Sequence, residues 1–332
     1  MSVMLVLVVA AALTFEFING FHDTANSIAT TVYTRALPVA GAIALAAIMN
    51  FAGAFFSEGV AQTISKGLVS AEIEDYVILS ALLGAIVWNL FTWWKGIPSS
   101  SSHALIGGLV GASIAYTVGL GGIIWMGLLQ KVVIPMFTSP LIGFILAFAL
   151  MKLIFKTCAR LNHRKTSTVF LRLQILSAAA VAFAHGTNDA QKTMGIITLA
   201  LITSGVLVGA EANHIPLWVK VICAFTMAAG TSMGGWRIMR TMGHGVTKLD
   251  SVRGFAAETT SAIVIQVMTI LHAPISTTQA ISSAIMGVGS AHRVRAVKWT
   301  KAKEIASTWV LTLPFSMLLG AAFVVVIRFF LG

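Results

Sequence analysis

Eleven residues in an otherwise apolar chain constrain everything else about it. Asn19 to Ala29 reads NGFHDTANSIA, so Asn, His, Asp, Thr and Asn interrupt a segment of membrane length. Polar and ionisable groups at that depth are costly and are kept facing a site or a partner. From His185 the stretch HGTNDAQKTMG repeats the pattern. Setting Asp23 on Asp189, 166 residues further on, also pairs Gly20 with Gly186, Phe17 with Phe183 and Ser27 with Thr193 without a gap. A second pair follows. Pro98 with SSSSHA matches Pro274 with ISTTQA at 176 residues, aligning Ser100, Ser101 and Ser102 with Ser276, Thr277 and Thr278. The chain reads as two halves built alike.

A 332-residue chain that is 10% charged and 57% apolar, with a mean hydropathy of +0.90, cannot assemble an aqueous surface. It reads as an all-α integral membrane protein of about 10–12 membrane segments. Val3 to Phe17 has no basic start and no small-residue cleavage site, so it is taken as a first transmembrane helix and not as a signal peptide. Cys158 and Cys223 stand far apart and suggest neither a disulfide framework nor a metal knuckle. The net charge of +11 does not point to nucleic acid, because the basic residues lie in short loops with no soluble domain to present them. Orientation explains them better. The clusters Lys152 to Arg172, Arg237 to Arg253 and Arg293 to Lys303 are placed in the cytoplasm, and the loop Glu58 to Asp75, with four acids against one lysine, outside.

The acidic loop of the first half corresponds to the basic loop 237–253 of the second, so the halves should have opposite topology. Residues 1–157 and 173–332 are expected to be inverted repeats joined by a basic cytoplasmic linker, 158–172. Both termini are expected outside, in a cell inner membrane. Helix breaks are expected at both aspartate stretches. Further breaks at Pro98 and Pro274 should fold the chain into helical hairpins. Between Ile123 and Phe155 two apolar pieces must make one net crossing. Inverted repeats whose broken helices meet at mid-membrane are the architecture of secondary transporters.

Helix N-termini at such breaks aim N–H groups and a partial positive charge at whatever fills the gap, and the Ser and Thr runs add hydroxyl donors. Together they form an oxyanion cradle. Two aspartates beside it make sense if the anion carries a proton. Phosphate has a hydroxyl that Asp23 and Asp189 can accept, whereas sulfate has none. The same carboxylates could instead hold a coupling cation or a divalent metal bound to phosphate.

These residues resemble the inorganic phosphate transporter (Pit) family of secondary carriers. The family's duplicated GxNDxANA-like motif is met as GFHDTANS and GTNDAQKT, and its paired hydroxyl motifs as PSSSSH and PISTTQ. The likeness spans the whole chain and is greatest to the bacterial low-affinity type. It implies phosphate import driven by a cation gradient, alternating access, inverted repeats and a homodimer, with no cofactor. Substrate is assigned to Asp23, Asn26, Ser100, Ser101, Ser102, Asp189, Lys192, Ser276, Thr277 and Thr278. The coupling ion is assigned to Glu16, His22, Asn188 and Glu258. Two departures bear on coupling. His22 stands where the family has Asn before Asp, and Lys192 where it has the second Asn. Neither offers the neutral oxygen a sodium ion needs, which favours the proton.

Simpler readings exist for each feature. Ser and Thr in membrane helices commonly satisfy backbone carbonyls, His185 and His272 suit bonded core histidines, and Glu16 and Glu258 suit either a proton relay or structural pairing. A sodium-coupled carrier and a sulfate permease are alternatives within the family. An anion channel and a membrane-embedded enzyme are alternatives outside it. No nucleophile, base and orienter occur together, and paired breaks have no use in catalysis.

Overall fold

The computed structural model describes residues 2–70 and 73–331. In chain order it has α1 (Val3–Tyr33), α2 (Val39–Gly53), α3 (Gly59–Lys66), α4 (Asp75–Lys95), α5 (Ser101–Thr117), α6 (Trp125–Leu128), α7 (Ile134–Cys158), α8 (His163–Thr203), α9 (Leu217–Met233), α10 (Trp236–Gly245), α11 (Ser251–Ile270), α12 (Thr277–His292) and α13 (Trp299–Leu331). The chain is a helical membrane protein. Among the described residues six helical segments are long and apolar enough to cross a bilayer. Phe137, Leu141 and Ile145 of α7 and Leu318, Val325 and Phe329 of α13 stay exposed, as an outer surface against lipid requires.

Two of the four expected breaks are absent. α1 and α8 run as uninterrupted helices through both aspartate stretches. No proline falls in either stretch, and the polar side chains bond across to neighbouring helices, so nothing opens the backbone. The other two breaks are real. α4 ends on Gly96 in the left-handed region, φ 67°, and the chain passes Pro98 in extended form before α5 begins. The carbonyls freed there are taken up by α10, where Arg237 donates to the Trp94 carbonyl at 2.6 Å and Thr241 to that of Gly96 at 2.8 Å. After α11, Lys131 donates to the Leu271 carbonyl and Thr63 of α3 to that of His272, both at 2.8 Å. Non-helical backbone inside a membrane protein survives on such substitutions.

The segment between 123 and 155 is one continuous run. α6 leads through a wide π turn, Leu129–Val133, into α7. Pro135 lacks an N–H and its ring would clash in a regular helix, and the widened turn absorbs both. The stretch 158–172 is mostly helix: the turn is confined to residues 159–162, and Asn162 caps α8 by accepting the Arg164 N–H at 3.0 Å. The acidic stretch after Glu58 is likewise no open loop. It holds α3, which buries Val60, Ala61 and Ile64 and packs on α8.

Packing between the halves is reciprocal. α7 backs the α11–α12 hairpin while α13 backs the α4–α5 hairpin, and α1 crosses α9 while α2 crosses α8. Matching residues make the two crossings. A side chain on Gly20 would collide with the Met227 backbone, and one on Gly186 with that of Asn50; Gly53 meets Phe183 and Gly230 meets Phe17 in the same way. Only hydrogen fits where these backbones touch.

Candidate functional site

The first turns of α5 and α12 meet the middles of α1 and α8. Ser100 caps α5 by accepting the His103 N–H at 3.2 Å, and Ser276 caps α12 by accepting that of Gln279 at 3.2 Å. Two of the expected substrate hydroxyls therefore serve as caps. The next residues reach the aspartates. Ser101 donates to Asp23 Oδ2 at 2.5 Å, Thr278 to Asp23 Oδ1 at 3.2 Å and Thr277 to Asp189 Oδ2 at 3.5 Å. Ser102 donates to the Ile275 carbonyl at 2.8 Å, tying the two hairpin tips together.

Lys192 sits one helical turn beyond Asp189. Its ammonium lies 2.6 Å from Asp189 Oδ1, 2.8 Å from the Ile275 carbonyl and against Ser102 Oγ. At 1% exposure such a charge is tolerable only because all three protons find acceptors. On the other aspartate, His22 Nδ1 is 2.7 Å from Asp23 Oδ1, and its Nε2 is 3.2 Å from Thr92 Oγ1. Asn188 holds the corresponding place in α8 and donates to Thr269 at 2.8 Å.

His185, which suited a core histidine, is bonded through Nδ1 to Asn50 Oδ1 at 3.0 Å, yet its Nε2 stands 3.5 Å from Asp189 Oδ2. The second contact is an ion-pair approach without a hydrogen bond. Its i, i+4 spacing from Asp189 was the signal that could have placed it here. Asp23, His185 and Asp189 each bring a ligand atom within 4.8 Å of one another, a set that a divalent ion can use. The oxygens are already engaged, however. Lys192 holds Asp189, and His22, Ser101 and Thr278 hold Asp23. The residues present suit a tethered ammonium better than a resident metal.

The remaining expected residues lie apart from this cluster. Glu258 is saturated by Thr30, Thr31, Ser177 and Gln174 at 2.5, 2.7, 2.6 and 3.1 Å. Four donors around one carboxylate are the arrangement of structural pairing. Glu16 receives Thr193, the neighbour of Lys192, on Oε2, while its Oε1 and the Asn19 Oδ1 three residues on are buried with no partner among the described residues. The Asn26 side chain lies outside the described residues.

The chain matches the Phosphate transporter family over residues 19–165 and 156–320. It is 50% identical over 325 residues to a "Probable low-affinity inorganic phosphate transporter" of Bacillus subtilis (strain 168), which covers 96% of each chain. A protein of the same description from Rhizobium meliloti (strain 1021) is 48% identical, covering 96% of this chain and 95% of that one. One from Mycobacterium tuberculosis (strain ATCC 25618 / H37Rv) is 46% identical over 96% of this chain and 76% of its own. Among solved structures, "The sodium-dependent phosphate transporter" superposes with a TM-score of 0.88 at 26% identity, covering 99% of this chain and 100% of that one.

Proposed function

The chain belongs to the phosphate transporter family, and from that premise we propose that it imports inorganic phosphate by proton symport, through alternating access to the cluster between the two hairpins. The observation that carries the coupling assignment is Lys192, whose ammonium stands 2.6 Å from Asp189 in a buried site. A tethered cation balances part of the substrate's charge, so no sodium ion is required beside the anion. The α5 and α12 first turns, with Ser101, Ser102, Thr277 and Thr278, cradle the oxyanion through backbone N–H groups and hydroxyls. A carboxylate has about four acceptor sites, and those that Asp23 and Asp189 keep beyond their protein partners accept a hydroxyl of the anion.

Residues 1–157 and 173–332 act in this scheme as repeats of opposite topology, and the reciprocal packing of α7 and α13 on each other's hairpins supports that reading. A second reading is sodium coupling. It draws on the sodium-dependent structural relative and on the oxygens of Glu16 and Asn19 that have no partner among the described residues, which are the anionic and neutral ligands a small cation prefers. A divalent metal carried with phosphate is a third form of the substrate, for which Asp23, His185 and Asp189 are the available ligands.

The deciding experiment is uptake of labelled phosphate by proteoliposomes under an imposed pH gradient or an imposed sodium gradient. Proton coupling predicts accumulation with the inside alkaline and no sodium present. Accumulation only under a sodium gradient would transfer the coupling role to Glu16 and Asn19.

A further inference from the structure

The hydroxyl run that opens α5 ends in a residue that the site described above leaves idle. His103 is 0% exposed, and neither of its ring nitrogens has a hydrogen-bond partner among the described residues. The two residues before it both enter the charged cluster, Ser101 on Asp23 and Ser102 on Lys192. The charges that bear on the His103 ring are those of the same Lys192 and Asp23. At the matching place in α12, 176 residues on, stands Gln279. It is 1% exposed, and its Oε1 is also unpartnered.

A buried imidazole with both nitrogens unpaired is a costly arrangement unless a ligand completes it. The neutral ring offers one N–H donor and one bare nitrogen as acceptor. Dihydrogen phosphate is its complement, since it presents oxygens that accept and two hydroxyls that donate, one to an aspartate and one to the ring. The bare nitrogen has an advantage over a carboxylate here, because it can accept a hydroxyl without adding negative charge beside an anion. Sulfate would satisfy only the donor half and leave the acceptor unpaired.

We propose that His103 contacts the transported anion and sets its preference for hydroxyl-bearing oxyanions over sulfate, one ring nitrogen donating to an anion oxygen and the other accepting a second hydroxyl of the anion. This rests on the reading of the cluster as the phosphate site. Gln279 is the corresponding residue of the second hairpin and presents a second acceptor.

The test uses the full chain in proteoliposomes, with labelled phosphate as substrate and arsenate and sulfate as competitors. Thermal unfolding of the purified protein with and without phosphate reads binding independently of transport. His103→Leu is expected to raise the phosphate KM about tenfold, the effect of one lost buried hydrogen-bonding partner. The sulfate inhibition constant should stay within about twofold, so selectivity falls by nearly the same factor. His103→Gln keeps one donor and one acceptor and should recover most of the affinity. A His103→Leu protein with unchanged phosphate KM and selectivity, or with equal loss for phosphate and sulfate, overturns the proposal. Should His103→Leu fail to fold, His103→Met is read against the same two outcomes. A wild-type protein that neither takes up phosphate nor is stabilised by it refutes the phosphate reading itself, and that failure is visible before any variant is made.

Discussion

At the scale of single residues, Lys192 joins the second aspartate to both hairpin tips. Removing one partner of a buried ion pair leaves the other uncompensated, at a cost of about 3–5 kcal/mol. Lys192→Asn should therefore lower both the unfolding temperature and sodium-independent uptake. Adding Asp189→Asn should return part of the stability without returning transport, and a double-mutant cycle on unfolding and uptake separates the two. If Lys192→Asn folds well, stays proton-driven and keeps its phosphate affinity, the tethered-cation reading is wrong. A second expectation concerns the anion. Arsenate, which shares phosphate's hydroxyl, should inhibit uptake strongly and sulfate weakly; equal inhibition would remove the acceptor role from Asp23, Asp189 and His103 alike. A third concerns Glu258. Its four donors point to a carboxylate that holds α1, α8 and α11 together. Glu258→Gln should cost about 1.5–3 kcal/mol of stability, as hydrogen bonds to a charged group are worth, and thermal unfolding measures it; a loss of coupling without loss of stability would return Glu258 to the proton path. Asp23, Asp189, Lys192 and the hydroxyl runs were legible in the sequence because charge in an apolar segment has few uses and because each recurs in register. Thr92 and Asn50 were not, since a lone Thr or Asn gives no sign of which distant helix it will meet.

Among the elements, α3 shows what periodicity could not disclose. Eight residues in an acidic stretch read as an outside loop, yet Gln191 accepts the Val60 and Ala61 N–H groups at 2.9 and 3.3 Å and so caps the first turn of α3 from within α8. Gln191 is the neighbour of Lys192, so α3 and the charged cluster hang on adjacent residues. Gln191→Leu leaves two N–H groups without their acceptor and should weaken α3 by about 1–2 kcal/mol. Hydrogen exchange at residues 60–64 should rise severalfold while α5 and α12 stay protected; unchanged exchange would show that burial of Val60 and Ile64 alone holds α3. The hairpin breaks were legible because Pro98 and Pro274 dictate them. The supposed breaks in α1 and α8 were misjudged for a general reason: polar residues in a membrane segment need partners, and partners can be found sideways as well as by opening the helix.

For the molecule as a whole, opposite topology of the halves is the expectation most open to direct test. Single cysteines at Glu74 and Lys248, with Cys158 and Cys223 replaced, should react with impermeant reagents from opposite faces of the membrane, and reaction from one face would refute inversion. The duplication was visible as motif register, but the exchange of α7 and α13 between the hairpins was not, since sequence order does not say which half a closing helix will back. The glycine crossings carry a mechanical consequence. Gly20, Gly53, Gly186 and Gly230 leave α1, α2, α8 and α9 no clearance to slide, because any shift along a helix axis would bring a side chain against backbone. Under the alternating-access proposal those four helices would form the frame, and the displacement that exposes the anion first to one side and then to the other would occur where α4–α5 and α11–α12 lean on it. Spin labels on α2 and α9 should keep their separation when phosphate is added, while labels on α5 and α12 should not.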